Sequence, residues 1–495
     1  MHNYSNPSKS LRLAWLLVAL LAVSLLTLLI GKEHNLRAES ASVSAQLSGA
    51  SEPTKTYLPF VVNRFDASLP PPIFGMQVYG NTLPTNKYYD DLIESGTTWV
   101  RIPIRWDTVE PELLEPKVYN WAAVDNALAA AASTNGNLKF IGTIYYAPEW
   151  AAPDQPRAVL YDEALPHFAA FVQALAERFS GNGINDAPGS PVVTHWEFYN
   201  EPDIATEPGG IPLWGDNGDK YAQMLAAVYP AIKAGNPNAQ VVFGGIAYDW
   251  FVDQGGTFHR EFLDDVLTAG GGNYFDIMNF HYYPAFSMNW TMRGTGLLEK
   301  TTYIRDKLQN EYGIYKPMII TEAGWYSNPD PVLPSTPEIQ SRYVVQLYTQ
   351  AMAADIDIMI WWMLHDAGIG YPDTGLVTND TPPIRKPAFS VYKNMTEEMW
   401  STHFERALTP AETGNNKIEA YRFRDYVRQR TLYIAWLNPV ESNETHPLRI
   451  TAPLATIKSI EGNVTGVVAD GDDGVIDGRV TIEISSRPIY IEVNH

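Results

Sequence analysis

The chain has 495 residues, 35 Lys and Arg against 56 Asp and Glu, a formal net charge of −21, and no cysteine. With 45% hydrophobic and 18% charged residues it is neither fibrous nor disordered. Its acidity argues against nucleic acid as a partner, and the lack of Cys removes disulfides, thiolate nucleophiles, Cys-built zinc sites and iron–sulfur clusters.

Leu13 to Ile30 form an uncharged apolar run behind Lys9 and Arg12, about long enough to cross a bilayer. Residues 1–30 are expected to be a signal-anchor or a signal peptide. The charged GKEHNLR that follows, with Val43-Ser44-Ala45 well downstream, favours an uncleaved anchor. Either way the bulk of the chain is expected outside the cytoplasm, membrane-anchored or secreted, with the membrane as a partner of the apolar segment. Residues 31–72, rich in Ser, Ala and Pro and ending in Pro70-Pro71-Pro72, suit a flexible linker.

From Ile73 the pattern becomes short apolar runs alternating with amphipathic stretches. Strands are expected at 73–80, 99–106, 139–146, 194–200, 240–247, 275–283, 316–322 and 356–364. Helices are expected at 122–133, 164–179, 219–234, 259–269, 297–312 and 337–353, where apolar residues recur at three and four. Eight such alternations predict an α/β fold, a (β/α)8 TIM barrel over residues 73–398, with any active site at the C-terminal strand ends. Residues 399–495 read as a small β-sandwich, with strands at 417–424, 429–437, 446–451, 456–461, 478–485 and 489–494. Asp-Gly pairs at 470–471, 473–474 and 477–478 mark tight turns, and Asp470, Asp472, Asp473 and Asp477 fit turns better than a calcium loop.

Two carboxylates stand at strand ends. The fourth strand runs out through Tyr199-Asn200-Glu201-Pro202, and the seventh ends Thr321-Glu322-Ala323. Strands four and seven face each other across the mouth of an eight-stranded barrel, so the two glutamates can converge. Glycosidic cleavage needs such a pair, one acid for the leaving oxygen and one carboxylate to attack the anomeric carbon or activate water. Glu197 sits deeper on the same strand and reads as a buried, paired carboxylate. No His-x-His pair occurs on a barrel strand, so neither a metal nor a cofactor is expected.

Asn200-Glu201-Pro202 with Glu322 resembles the clan A retaining glycoside hydrolases. So do Val100-Arg101-Ile102-Pro103, Val109-Glu110-Pro111, Tyr119-Asn120-Trp121, Pro148-Glu149-Trp150 and His281-Tyr282-Tyr283, in that clan's order over residues 73–395. Within the clan the chain looks most like the family 39 β-xylosidase and endoglycosidase group. The resemblance implies hydrolysis of a polysaccharide or oligosaccharide, with Glu201 as acid/base and Glu322 as nucleophile. It implies substrate contacts from Arg101, Asn200, His281, Tyr283 and Trp362, with Asn200 on the sugar 2-hydroxyl, Trp362 rather than Trp361 as the stacking floor, and Trp150 as an outer platform. Arg101 and Tyr283 are expected to favour the charged nucleophile, whereas Glu201 is expected in a drier place without a close cation, its pKa drifting upward. A carbohydrate-binding surface protein without turnover and a transglycosidase using the same site are the alternatives. The sequence does not separate exo from endo action, name the glycan or disclose an oligomeric state.

Overall fold

The computed structural model describes residues 73–134, 136–155, 157–289, 296–328, 335–368 and 372–494. The apolar run at 13–30 and the linker at 31–72 lie outside the described residues. Among the described residues no helix is long and apolar enough to cross a membrane.

Eight strands, β1 Phe74–Gln77, β2 Trp99–Arg105, β3 Lys139–Tyr145, β4 His195–Phe198, β5 Gln240–Val242, β6 Met278–Tyr282, β7 Met318–Ala323 and β8 Ile358–Trp361, run parallel in the order β5-β4-β3-β2-β1-β8-β7-β6. Isolated parallel bridges, Val242 to Ile277 and Ile246 to Phe280, join the two ends of this sheet into a ring. Seven strands fall within a segment that the sequence marks as one and β7 overruns its segment only by Ala323, and near-continuous apolar runs are what strands covered on both faces require. Inside the ring Trp99, Ile141, Val242, Ile277, Ile319, Ile358 and Ile360 pack into one buried cluster, so the barrel is filled rather than open.

The outer helices follow their apolar spacing. Leu165–Arg178 buries Phe168, Phe171, Val172, Leu175 and Ala176, and carries Pro166 in its first turn, where a missing N–H costs nothing. Pro337–Ala353 starts from Thr336, whose side chain accepts the Ile339 N–H at 3.1 Å. The helix expected at 122–133 is split into Ala122–Ala127 and Ala129–Ser133, because Leu128 leaves the helical region at φ −98° and ψ 10°.

Beyond the last barrel helix, Pro387–Met399, the chain turns antiparallel. Strands β9 Thr402–Ala407, β10 Ile418–Asp425, β11 Arg430–Leu437, β13 Leu454–Lys458, β14 Val464–Ala469 and β16 Ile489–Asn494 form one sheet in the order β14-β13-β16-β11-β10-β9. It faces the pair β12 Thr445–Thr451 and β15 Arg479–Ser485 across a core that includes Ala420, Ala435, Leu448, Ile450, Val480, Ile482 and Ile491. The loop aspartates serve turns: Asp470 accepts the N–H groups of Asp477 and Gly478, and Asp473 that of Val475. The other face of the large sheet is tied to barrel helices. Arg430 Nη1 pairs with Glu398 at 2.8 Å, Gln350 Nε2 donates to Glu419 at 2.7 Å, and Arg342 Nη1 donates to the Val440 carbonyl at 2.6 Å.

Candidate active site

The mouth of the barrel is organised around a buried ion pair. Glu197 on β4 is fully buried, and a carboxylate without water must find its charge and hydrogen bonds inside the protein. It does so from several strands. Arg101 on β2 donates to it through Nε at 2.7 Å and Nη2 at 2.9 Å, Thr143 on β3 at 2.6 Å, Asn279 on β6 at 2.9 Å, Thr321 on β7 at 3.0 Å, and the Gly245 N–H beyond β5 at 3.1 Å. Burial pushes Glu197 up, but Arg101 and the donors outweigh it and hold its carboxyl below the ordinary glutamate range. Glu197 is therefore the buried, paired carboxylate that its depth on the strand suggested.

Arg101 carries this frame outward. Its Nη1 reaches Gln77 Oε1 at 3.1 Å and Glu322 Oε2 at 3.3 Å, and its Nη2 reaches Asn200 Oδ1 at 2.7 Å. Glu322, near the end of β7, also accepts from the Tyr283 hydroxyl at 2.5 Å. Burial and then the charge of Glu322 push that phenol well above its usual range, so it stays a donor. Glu201 lies three residues past β4 in the left-handed region at φ +46°, a conformation costly for a residue with a side chain. Between the two glutamates stands His281 on β6, 99% buried. Its Nδ1 is 3.2 Å from Glu201 Oε1 and 3.8 Å from Glu322 Oε2, and its Nε2 is 3.3 Å from Thr321 Oγ1.

Of the residues expected to contact substrate, Arg101, Asn200, His281 and Tyr283 thus come together with Glu201 and Glu322. Trp362, just past β8, joins their border through a hydrogen bond from its Nε1 to Tyr79 at 3.1 Å, and Tyr79 is pushed up first by burial and then by the charge of Glu322. Trp361 is fully buried and bonds the Thr374 carbonyl at 3.1 Å. Trp150 is placed differently: its Nε1 donates to the Glu110 carbonyl at 3.3 Å, and its ring packs edge-on against Trp106 at 5.1 Å. It packs half-buried among the loops after β2 and β3 and makes no hydrogen bond to the glutamate cluster.

The expected environment of Glu201 is corrected. A cation does lie beside it, for Arg157 Nη2 is 3.0 Å from Glu201 Oε2. Burial pushes Glu201 up, yet the His281 hydrogen bond and the charges of Arg157, His281 and Arg101 bring it below its usual value. Arg157 belongs to an irregular loop, where neither period nor motif marks it. Tyr79 and Gln77 were also missed, although a glutamine within the apolar first strand is a signal of something polar to meet. Glu201, His281 and Glu322 are also the one group among the described residues able to offer three metal-ligand atoms, all within 4.8 Å of one another. It is assembled from β6, β7 and the loop after β4, which no spacing along one strand reveals. Both carboxylates already face a guanidinium, so this donor set suits charge and proton handling better than a divalent ion.

The geometry agrees with the comparisons to known proteins. Residues 62–368, more than half of the chain, match the family model for cellulase, glycosyl hydrolase family 5. No curated protein matches the sequence. Among solved structures, a family 39 glycoside hydrolase from the gut symbiont Bacteroides cellulosilyticus WH2 is similar at 19% identity and a TM-score of 0.64, over 86% of this chain and 81% of that one. A glucosidase from Croceicoccus marinus is similar at 15% identity and a TM-score of 0.57, over 86% and 99%. The catalytic domain of GH30 xylanase C from Talaromyces cellulolyticus gives 12% identity and a TM-score of 0.53, over 86% and 98%. At these identities the structures speak for the shared barrel fold, and the family model, matched across the strands that carry both glutamates, speaks for kinship: the chain belongs to the cellulase family, glycosyl hydrolase family 5, of clan A.

Proposed function

We propose that the chain is a retaining glycosidase that cleaves O-glycosidic bonds of a polysaccharide or oligosaccharide by double displacement. The observation that carries this reading is the closeness of the carboxylates: ligand oxygens of Glu201 and Glu322 lie within 4.8 Å of each other. Retaining enzymes hold their pair roughly 5 to 5.5 Å apart, whereas inverting enzymes leave about 6.5 to 9.5 Å for a water.

In the first step a Glu322 oxygen, oriented by Arg101 and Tyr283, bonds to the anomeric carbon while the bond to the leaving oxygen breaks. The leaving oxygen takes the proton of Glu201. In the second step water attacks that carbon, gives its proton to Glu201 and releases Glu322. His281 touches both carboxylates, and Asn200, fixed by Arg101, faces the same space, so each can bond sugar hydroxyls.

Glu322→Ala is expected to abolish hydrolysis, and azide to restore part of the turnover with product of inverted configuration. Glu201→Ala is expected to spare aryl glycosides whose leaving phenol needs no proton. A screen of polysaccharides and aryl glycosides with product configuration followed by NMR checks both. Normal activity of both variants on the best glycan would sink the assignment.

A further inference from the structure

Arg157 is pressed against the residue that must carry a proton. Its Nε donates to the Asn200 carbonyl at 2.6 Å and its Nη2 to Glu201 at 3.0 Å, while Nη1 makes no hydrogen bond among the described residues. Two loops hold it in place, through the antiparallel bridge from Ala158 to Leu213 and the Trp214 N–H on the Arg157 carbonyl at 3.2 Å. Beside it Tyr146, just past β3, carries the Arg105 guanidinium 4.3 Å from its ring centre, and both arginines act on its phenol. Arg105 pairs with Asp107 on one side, and its Nη1 is buried with no partner among the described residues. The wall beyond Glu201 therefore carries two guanidinium groups, of which Arg157 keeps an Nη1 that no described residue engages, in a chain whose net charge is −21.

The two oxygens of Glu201 define two sides. Oε1 faces His281 and, past it, Glu322, whereas Oε2 faces Arg157. A sugar attacked by Glu322 lies on the His281 side, so the unit that leaves lies on the Arg157 side. Catalysis needs Glu201 protonated, and Arg157 favours the opposite state. Resting on the retaining reading above, we propose that the leaving-group side of the cleft takes an anionic sugar unit, a uronate, whose carboxylate takes over Arg157 and frees Glu201 to accept its proton. That proton comes from solvent as the substrate binds, passes to the leaving oxygen as the glycosidic bond breaks, and is regained from the attacking water. The groups that set the balance at Glu201 are Arg157 from the loop after β3, Arg101 from β2, His281 and Tyr283 from the end of β6, Tyr79 after β1, Glu322 from β7 and Asp203 in its own loop. A planar guanidinium fork exchanging one carboxylate for another keeps its charge-assisted bonds, which makes the exchange inexpensive.

The test places a charge on the leaving side alone. Paired aryl glycosides of the sugar found in the screen, one with a 3-carboxyphenyl and one with a 3-carbamoylphenyl leaving group, are compared by kcat/KM from pH 4 to 8. The wild type is expected to favour the carboxylate by about tenfold or more, and Arg157→Gln to bring the two within about threefold. On the neutral glycoside Arg157→Gln is expected to move the alkaline limb of kcat/KM upward by on the order of one pH unit, as removal of a neighbouring cation requires. Arg157→Lys is expected to keep part of the preference. Equal rates of the two glycosides in the wild type would overturn the proposal whether or not the variants fold, as would an unchanged preference in a folded Arg157→Gln. Turnover of both glycosides that survives Glu322→Ala is a different failure, that of the glycosidase reading itself.

Discussion

Gly245 shows how finely the mouth is set at the level of single atoms. A Cβ built there would fall inside contact distance of His281 Nε2 and 2.8 Å from Thr321 Oγ1, while the Gly245 backbone donates to Glu197 and accepts from the Glu201 N–H at 2.9 Å. The only residue that fits is one without a side chain. Gly245→Ala is expected to drive the imidazole toward the two glutamates, lowering kcat/KM by at least about tenfold while costing about 1–3 kcal/mol of stability. Kinetics beside a thermal melt would check it, and wild-type kcat/KM would refute the crowding argument. At this scale the sequence disclosed the glutamates and their strand-borne neighbours, because strand ends and alternation fix where side chains point. It was silent on Arg157 and on Gly245, whose roles depend on loops crossing in space. Trp150 sits near the right strand end, yet its partner is the Glu110 carbonyl, a pairing that no motif spells out.

Strands meet at Glu197. Because its donors come from β2, β3, β6, β7 and the chain after β5, this one carboxylate ties together elements that do not all hydrogen-bond to one another. The tie depends on charge and hence on pH. An unfolded glutamate takes up a proton near 4.5, and folded Glu197 only below that. As pH falls through this interval the unfolded state binds more protons and stability drops, whereas above it the contribution is fully present. Glu197→Gln is expected to lose about 3–5 kcal/mol at neutral pH by taking from buried Arg101 its bidentate counter-charge, with only the longer contact to Glu322 left, and to show a flatter loss between pH 6 and 3. Denaturant midpoints across that range decide it, and parallel curves for the two proteins would contradict the tie. The barrel strands and most helices with a buried face were legible in the sequence, whereas the helix Pro387–Met399 was not among those expected, although it buries Phe389, Val391, Tyr392 and Met395. The sandwich strands that escaped, β9 and β14, are the two edges of their sheet, with largely exposed side chains, and an edge has little apolar alternation to display.

Across the whole molecule the barrel was plain from eight alternations, and the antiparallel appendage from its change of period. What the alternation does not disclose is that the ring is unevenly laced. β2 and β3 pair over seven residues, while the chain at and after β5 is bridged to that at β6 at just two points, Val242 with Ile277 and Ile246 with Phe280. The shorter way round from Glu201 to Glu322 crosses this seam. Under the proposed mechanism a glycan held by both glutamates would act there as a staple. In deuterium exchange the amides of Phe243 and His281, which bond across the seam to Ile277 and Ile246, are expected to label sooner than those of β2 and β3. Loading Glu322→Gln with a bound glycan is expected to slow the seam amides most, so the place where the ring opens is the place that reports occupancy.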